Sequence, residues 1–172
     1  PDQWEKVSDL LTGVQAIDPT LFFFGDRWWL MFTDNQSGPF HNLFVWHSLV
    51  LTGPWRPHLR NPVKTDAASS RPGGTPFVHN GELYRIAQDC SKSYGGRLIV
   101  SRVVELSPQT FREESVRIIE PDLNSSFKNG IHTLAAVGDI CLVDGKHDGF
   151  NLTAFRNILK IGLSRRLKSV LR

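Results

Sequence analysis

The chain has 172 residues, 40% of them hydrophobic and 22% charged, which is enough apolar material for one buried core. Its formal charge of +3 comes from the C-terminal end, where Arg156, Lys160, Arg165, Arg166, Lys168 and Arg172 stand without a single acid. The rest of the chain is slightly acidic and offers no electrostatic case for nucleic acid. No run approaches the ~18–20 apolar residues of a membrane span. No signal peptide is expected in these residues either, and no compartment is assigned. The chain opens on Pro1 rather than methionine, so further sequence upstream is expected.

The first predicted element is the hairpin in "IDPTLFFFGDRWWLMFT", Ile17 to Thr33. Two apolar runs flank Gly25-Asp26, a pair that fits a type II′ turn. "LFVWHS" and "GPWRPH" then read as two further strands, with Trp55 as a packing anchor in the outer one. A second hairpin follows in "GTPFVHNGELYRIAQ". Its Asn80-Gly81 is a strong type I′ signal, because that turn needs positive φ at both central residues. "GRLIVSRVVEL" and "FREESVRII" continue it as strands. A third hairpin is read in "IHTLAAVGDICLVDG", turning at Gly138-Asp139. The hairpins recur about every 55 residues. A recurring unit of three or four short antiparallel strands predicts an all-β chain built as a partial β-propeller of about three blades. A plain β-sandwich is the alternative.

The boundaries follow: a β-domain over 1–150 and a basic amphipathic segment over 151–172. In that segment Phe155, Leu159, Leu163, Leu167 and Val170 form one apolar helical stripe opposite a basic face. A short C-terminal helix is therefore expected, either packing on the body or touching a membrane surface or acidic partner. Cys141, in an apolar strand-like run, reads as a small buried hydrophobe. A disulfide to Cys90 is one option, but two cysteines do not make a framework.

Strands of a propeller run radially, so residues at the start of each inner strand converge on the axis. That places Asp18, Arg71 and His132, at matching points of the three units, in one polar cluster. An acid, a guanidinium and an imidazole suit sugar hydroxyls or a phosphate. Taken singly, Asp18 reads equally well as a capping acid, Arg71 as a solvated loop residue and His132 as a core histidine. Trp28 and Tyr94 are candidates for stacking on a sugar ring. Alternation sends Trp28 and Trp29 to opposite faces, so at least one of them is core. The six histidines show no paired ligand spacing, and neither glycine pair, in "RPGGT" or "YGGR", opens a helix. No metal and no cofactor is expected.

"DPTLFFFGDRWWLMFT", "GPWRPHLRNPV", "GGTPFVHNGELYRIAQDCSKSYGGRLIVSRVVELSPQTFREE" and "IHTLAAVGDICLVDG" together resemble the propeller-like N-terminal domain of glucosamine inositolphosphorylceramide transferases and related bacterial proteins. The wider group is similar to the five-bladed propeller of glycoside hydrolase family 43. The resemblance runs from Ile17 to Gly145. It implies a five-bladed parent fold and, in the glycosidase members, three channel acids. Only Asp18 falls on such a position; "RPGGTPF" carries no carboxylate at the second. The resemblance therefore implies a carbohydrate- or glycolipid-headgroup-recognising module beside a transferase domain, with Asp18 as the catalytic carboxylate if hydrolysis survives. An active hydrolase completed by acids outside this chain, and a scaffold that binds nothing, are the alternatives.

Overall fold

The computed structural model describes residues 3–137 and 140–149. Eleven strands, all paired antiparallel, account for its regular structure; the helical part of the described residues is a single 3-10 turn, Asn35–Ser37. Strands β1 (Ala16–Phe24), β2 (Arg27–Asp34), β3 (Asn42–Ser48) and β4 (Arg56–Pro57) form a first sheet in chain order, and β5 (Lys64–Thr65) also pairs with β3. Strands β6 (Phe77–His79), β7 (Glu82–Asp89), β8 (Arg97–Leu106) and β9 (Phe111–Ile119) form a second, again in chain order. A final hairpin joins β10 (Leu134–Val137) to β11 (Ile140–Val143).

Turn chemistry explains the hairpins. At the first turn Gly25 takes φ +67°, a left-handed value that glycine adopts without a Cβ penalty. At the second, Asn80 and Gly81 are both left-handed, at +51° and +78°, as a type I′ turn requires. Alternation then decides what each strand buries. Trp29 turns into the core and donates its indole N–H to the Phe24 carbonyl at 3.1 Å. Trp28, next to it, faces the other way and meets Phe23 edge-on at 5.3 Å.

In the second sheet β7 and β8 are buried on both faces. Leu83 joins Phe22, Trp29, Met31, Leu43 and Val45 of the first sheet. Ile86 and Leu98 point the opposite way, to Ile131 and the edge of the third hairpin. Between the sheets, residues 67–73 run beside β7: Gln88 N donates to Arg71 O at 2.8 Å, Cys90 N to Ala67 O at 2.8 Å and Gly73 N to Ile86 O at 3.0 Å.

A buried ion cluster locks this crossing. Arg85 grips Glu113 with Nε and Nη2 at 2.7 and 2.6 Å, and Lys64 Nζ reaches the same carboxylate at 2.6 Å. Arg85 also donates to the carbonyls of Ser69 and Ser70. Burial by itself would raise the Glu113 pKa; the charges and hydrogen bonds of Arg85 and Lys64 outweigh it and hold the carboxyl below the ordinary glutamate range.

Three expectations are corrected. Among the described residues the third unit is a two-stranded hairpin rather than a three- or four-stranded blade. The strand read in "GPWRPH" shrinks to Arg56–Pro57, and Trp55 precedes it half-buried, its indole N–H held by Leu51 O at 3.1 Å. Cys141 is exposed, because among the described residues no outer strand covers β11 and all four of its residues face solvent. Both thiols are free. The Gly138-Asp139 turn and the helix expected over 151–172 lie outside the described residues.

Two stability predictions follow from the buried charges. Glu113→Gln leaves Arg85 and Lys64 without their counter-charge. Urea unfolding should report a loss of about 3–5 kcal/mol, and a loss below about 1 kcal/mol would remove the cluster from its structural role. The second concerns His58, which is buried and whose Nδ1 accepts from Arg60 N at 3.0 Å. Burial holds its pKa below the ordinary 6.5. The unfolded chain therefore takes up the proton first, and stability falls as pH drops below about 6.5, by at most ~1.4 kcal/mol per pH unit for this group. His58→Gln should flatten the slope of unfolding free energy between pH 7 and 5; an unchanged slope would contradict the assignment.

Candidate functional site

Asp18 owes its direction to a fault in β1. The register slips by one residue between Ile17, opposite Thr33, and Thr20, opposite Met31. Such a bulge re-aims a side chain, and Pro19, which has no N–H to lose, sits inside it. Asp18 itself is left-handed at φ +49°, a conformation seldom adopted by a residue with a Cβ. Long-range partners hold it there. Arg71 Nε and Gln88 Nε2 each donate to Asp18 Oδ2 at 2.7 Å. Oδ1 has no hydrogen-bond partner among the described residues, and the side chain is 37% exposed.

Arg71 comes from the crossing segment and is nearly buried. Its Nη1 donates to Pro39 O at 2.9 Å. Its guanidinium lies over two aromatic rings, Tyr94 at 4.9 Å and Phe40 at 5.4 Å, in cation–π geometry. Gln88 is fully buried and splits its amide between Asp18 and the Pro72 carbonyl. The two donors on one carboxylate oxygen thus have their own positions fixed by backbone carbonyls.

Tyr94 extends the cluster outward. Its ring is 40% exposed and stands edge-on to His132 at 5.3 Å. His132 is oriented by Asp144, whose carboxylate meets Nδ1. The same carboxylate accepts the backbone N–H groups of His132 and Thr133 at 3.0 and 2.8 Å. Burial raises the Tyr94 pKa; the charges of Asp18, Cys90 and Asp144 push the same way and Arg71 opposes them. The phenol therefore stays protonated and can donate at neutral pH. Burial likewise raises the nearby Cys90 thiol, which disfavours a nucleophilic thiolate.

Of the residues singled out from sequence, Asp18, Arg71, Tyr94 and His132 thus lie in one run of contacts. Trp28 does not. It is the second residue of β2, beside the Gly25 turn and at the far end of the hairpin from Asp18. Sequence reasoning passed over Gln88, Phe40 and Asp144. A signal for Asp144 existed: "MFTD", "IAQD" and "CLVD" end the second strand of each hairpin in an acid, Asp34, Asp89 and Asp144, at a constant step of ~55 residues. Each turns its carboxylate on backbone amides: Gln36 for Asp34, Ser91 for Asp89, His132 and Thr133 for Asp144.

Chemically, this surface offers a free carboxylate oxygen, a phenol, an imidazole and one exposed ring edge. Asp18 is the acid of the set with an oxygen unspent, since Asp144 is already engaged with two amides and an imidazole.

Comparison with known proteins places this geometry in a family. Residues 1–134 match the family described as glucosamine inositolphosphorylceramide transferase 1, N-terminal. Over 121 residues, 67% of the chain, it is 34% identical to the glucosamine inositolphosphorylceramide transferase 1 of Arabidopsis thaliana. Over 159 residues, 84% of the chain, it is 30% identical to the protein of the same name from Oryza sativa subsp. japonica. The matched regions cover 16% and 21% of those relatives, so the chain spans about a fifth of their length or less. No solved structure matches the chain. With most of its length under the family model, the chain belongs to the family of glucosamine inositolphosphorylceramide transferase N-terminal regions.

Proposed function

We propose that this chain is a carbohydrate- or glycolipid-headgroup-recognising module, accessory to an attached glycosyltransferase domain. The observation that carries the reading is Asp18: a left-handed acid held by Arg71 and Gln88 with one oxygen left open beside the exposed Tyr94 ring. Backbone strain in a residue with a Cβ, maintained by buried partners, is typical of ligand-holding positions. Asp18 Oδ1 accepts from sugar hydroxyls, His132 and the Tyr94 phenol add polar contacts, and the Tyr94 ring supplies an apolar face. Trp28 stands apart from this set, so Tyr94 is the stacking residue of the pair.

The relatives are named as transferases and are about five to six times longer than the matched region, which supports an accessory role. Two four-stranded meanders packed face to face in phase with the repeat support a propeller-like module over 1–150, similar to the five-bladed propeller of glycoside hydrolase family 43. The basic segment 151–172 is a separate element of that design. Hydrolysis by this chain alone is disfavoured, because it takes two working carboxyls about 5–9.5 Å apart and Asp144 is already committed.

Calorimetric titration with glucosamine and with inositol phosphate, fragments that the relatives' names contain, tests the reading. Binding by the wild-type chain should weaken at least ~10-fold in both Asp18→Asn and Tyr94→Ala, with unfolding temperatures retained. Absence of wild-type binding, or variants that bind like wild type, would overturn it. A second prediction concerns Gly95, at φ +59°, where a Cβ would come within 2.6 Å of the His132 Cβ. Gly95→Ala should cost more than ~1 kcal/mol and shift the His132 imidazole resonances; an unperturbed imidazole would refute this packing.

A further inference from the structure

The first sheet carries a second feature at the end away from Asp18. Between β3 and β4 the chain makes a tight excursion, "LVLTGPW". Gly53 N donates to Val50 O at 2.9 Å, Val50 N to Ser48 Oγ at 3.1 Å and the Trp55 indole to Leu51 O at 3.1 Å. These bonds hold three consecutive aliphatics outward: Leu49, Val50 and Leu51 are 67%, 56% and 41% exposed. Single apolar residues on a surface are ordinary, but a run of three on one braced turn is a patch.

The patch has aromatic and cationic neighbours. Trp28 pairs with Ser48 at the foot of the turn and carries the exposed Phe23 on its ring edge. Beneath the turn lies a cavity of about 310 Å³ whose walls include Arg27, His47, Val50 and Arg56 and no acid. The adjacent Asp26 is held by Arg27 Nε and Nη2 at 2.9 and 3.1 Å.

We propose that this turn docks the chain on an anionic lipid surface. Leu49, Val50 and Leu51 enter the acyl boundary, Trp28 and Trp55 lie at headgroup depth, and Arg56 meets a lipid phosphate. Aliphatic tip, aromatic shoulder and cationic base follow the polarity gradient of a bilayer surface. A protein partner fits less well, because the charged side chains of the cavity wall are Arg27 and Arg56 and, with Arg27 paired to Asp26, Arg56 leaves a net positive charge that matches an anionic surface. Asp18 stands about six residues along β1 from the Gly25 turn, ~20 Å away at strand rise. A chain docked by its tip therefore turns the Asp18 cluster toward the aqueous side, and the two surfaces can be tested separately.

The test is co-flotation of the full chain with phosphatidylcholine vesicles, with and without phosphatidylserine. The wild-type chain should float with the serine-containing vesicles, and brominated lipid should quench its tryptophan fluorescence. Leu49→Glu/Val50→Glu should reduce partitioning at least tenfold. Arg56→Gln should reduce it several-fold and lessen its dependence on salt. Failure of the wild type to float overturns the proposal. So does undiminished flotation of the double variant, which would assign binding to the basic run Arg156–Arg172. A wild-type oligomer that becomes monomeric in the double variant, with flotation unchanged, would make the turn a protein interface instead. Should the double variant not fold, Arg56→Gln and the bromolipid quenching decide: no quenching and no loss refute lipid docking.

Discussion

The structure depends on one buried charge pairing. Arg85 and Glu113 face each other with almost no exposure, and Lys64, from the strand that leaves the first sheet, completes the set. Two charges taken out of water are costly unless their hydrogen bonds are filled. Here Arg85 spends its remaining donors on the carbonyls of Ser69 and Ser70. The cluster thus joins two strands of the second sheet, an outlying strand of the first through Glu113, and the peptide that crosses between them. Apolar contact among Leu83, Trp29 and Leu43 drives the sheets together, but that force is non-directional. The ion cluster supplies direction, because a bidentate pairing tolerates little rotation.

Position of the candidate site follows from that crossing. Arg71 lies one residue beyond the Ser70 carbonyl that Arg85 holds, and the Gln88 N–H binds the Arg71 carbonyl. The cation over Tyr94 and Phe40 is therefore placed by backbone bonds, while its Nε meets Asp18. A left-handed residue before proline is an unfavourable local choice in β1. It persists because two buried donors, Arg71 of the crossing segment and Gln88 of the second sheet, satisfy one carboxylate oxygen. Backbone strain and an open oxygen at one residue are what separate Asp18 from Asp34 and Asp89. Asp34 faces solvent around a small turn, and Asp89 is closed by Ser91 and Arg97.

Membership in the transferase N-terminal family gives this arrangement a context. The chain covers a fifth or less of its relatives, and its apolar surface is not fully covered. Phe23 on the first sheet, Val116 and Ile118 on β9, and Ile140, Leu142 and Val143 on the last hairpin all face outward. A strand with apolar residues on both faces is designed for burial on both faces. Strands β7 and β8 have that burial, whereas β9 and β11 leave apolar side chains in solvent and the last hairpin packs through Leu134 of β10.

Much of the fold is legible in the sequence because its signals are local. Gly25-Asp26 and Asn80-Gly81 announce hairpins through the φ values their turns require. Alternation separates Trp28 from Trp29 without any knowledge of a partner sheet. Repetition of the hairpin marks the units and pairs the places of Asp18, Arg71 and His132. What no local pattern contains is the set of contacts between units. Gln88 reaches Asp18 across 70 residues and Arg71 across 53. Cys141 looks like core within its own strand and is exposed because, among the described residues, no strand pairs with the outer edge of β11. Thus the sequence by itself determined the strands, their turns and the rhythm of the units, since these depend on neighbours in the chain. Tertiary structure alone decided which way the β1 bulge aims Asp18, which donors meet it and which apolar faces are covered, because packing between distant strands sets each of these.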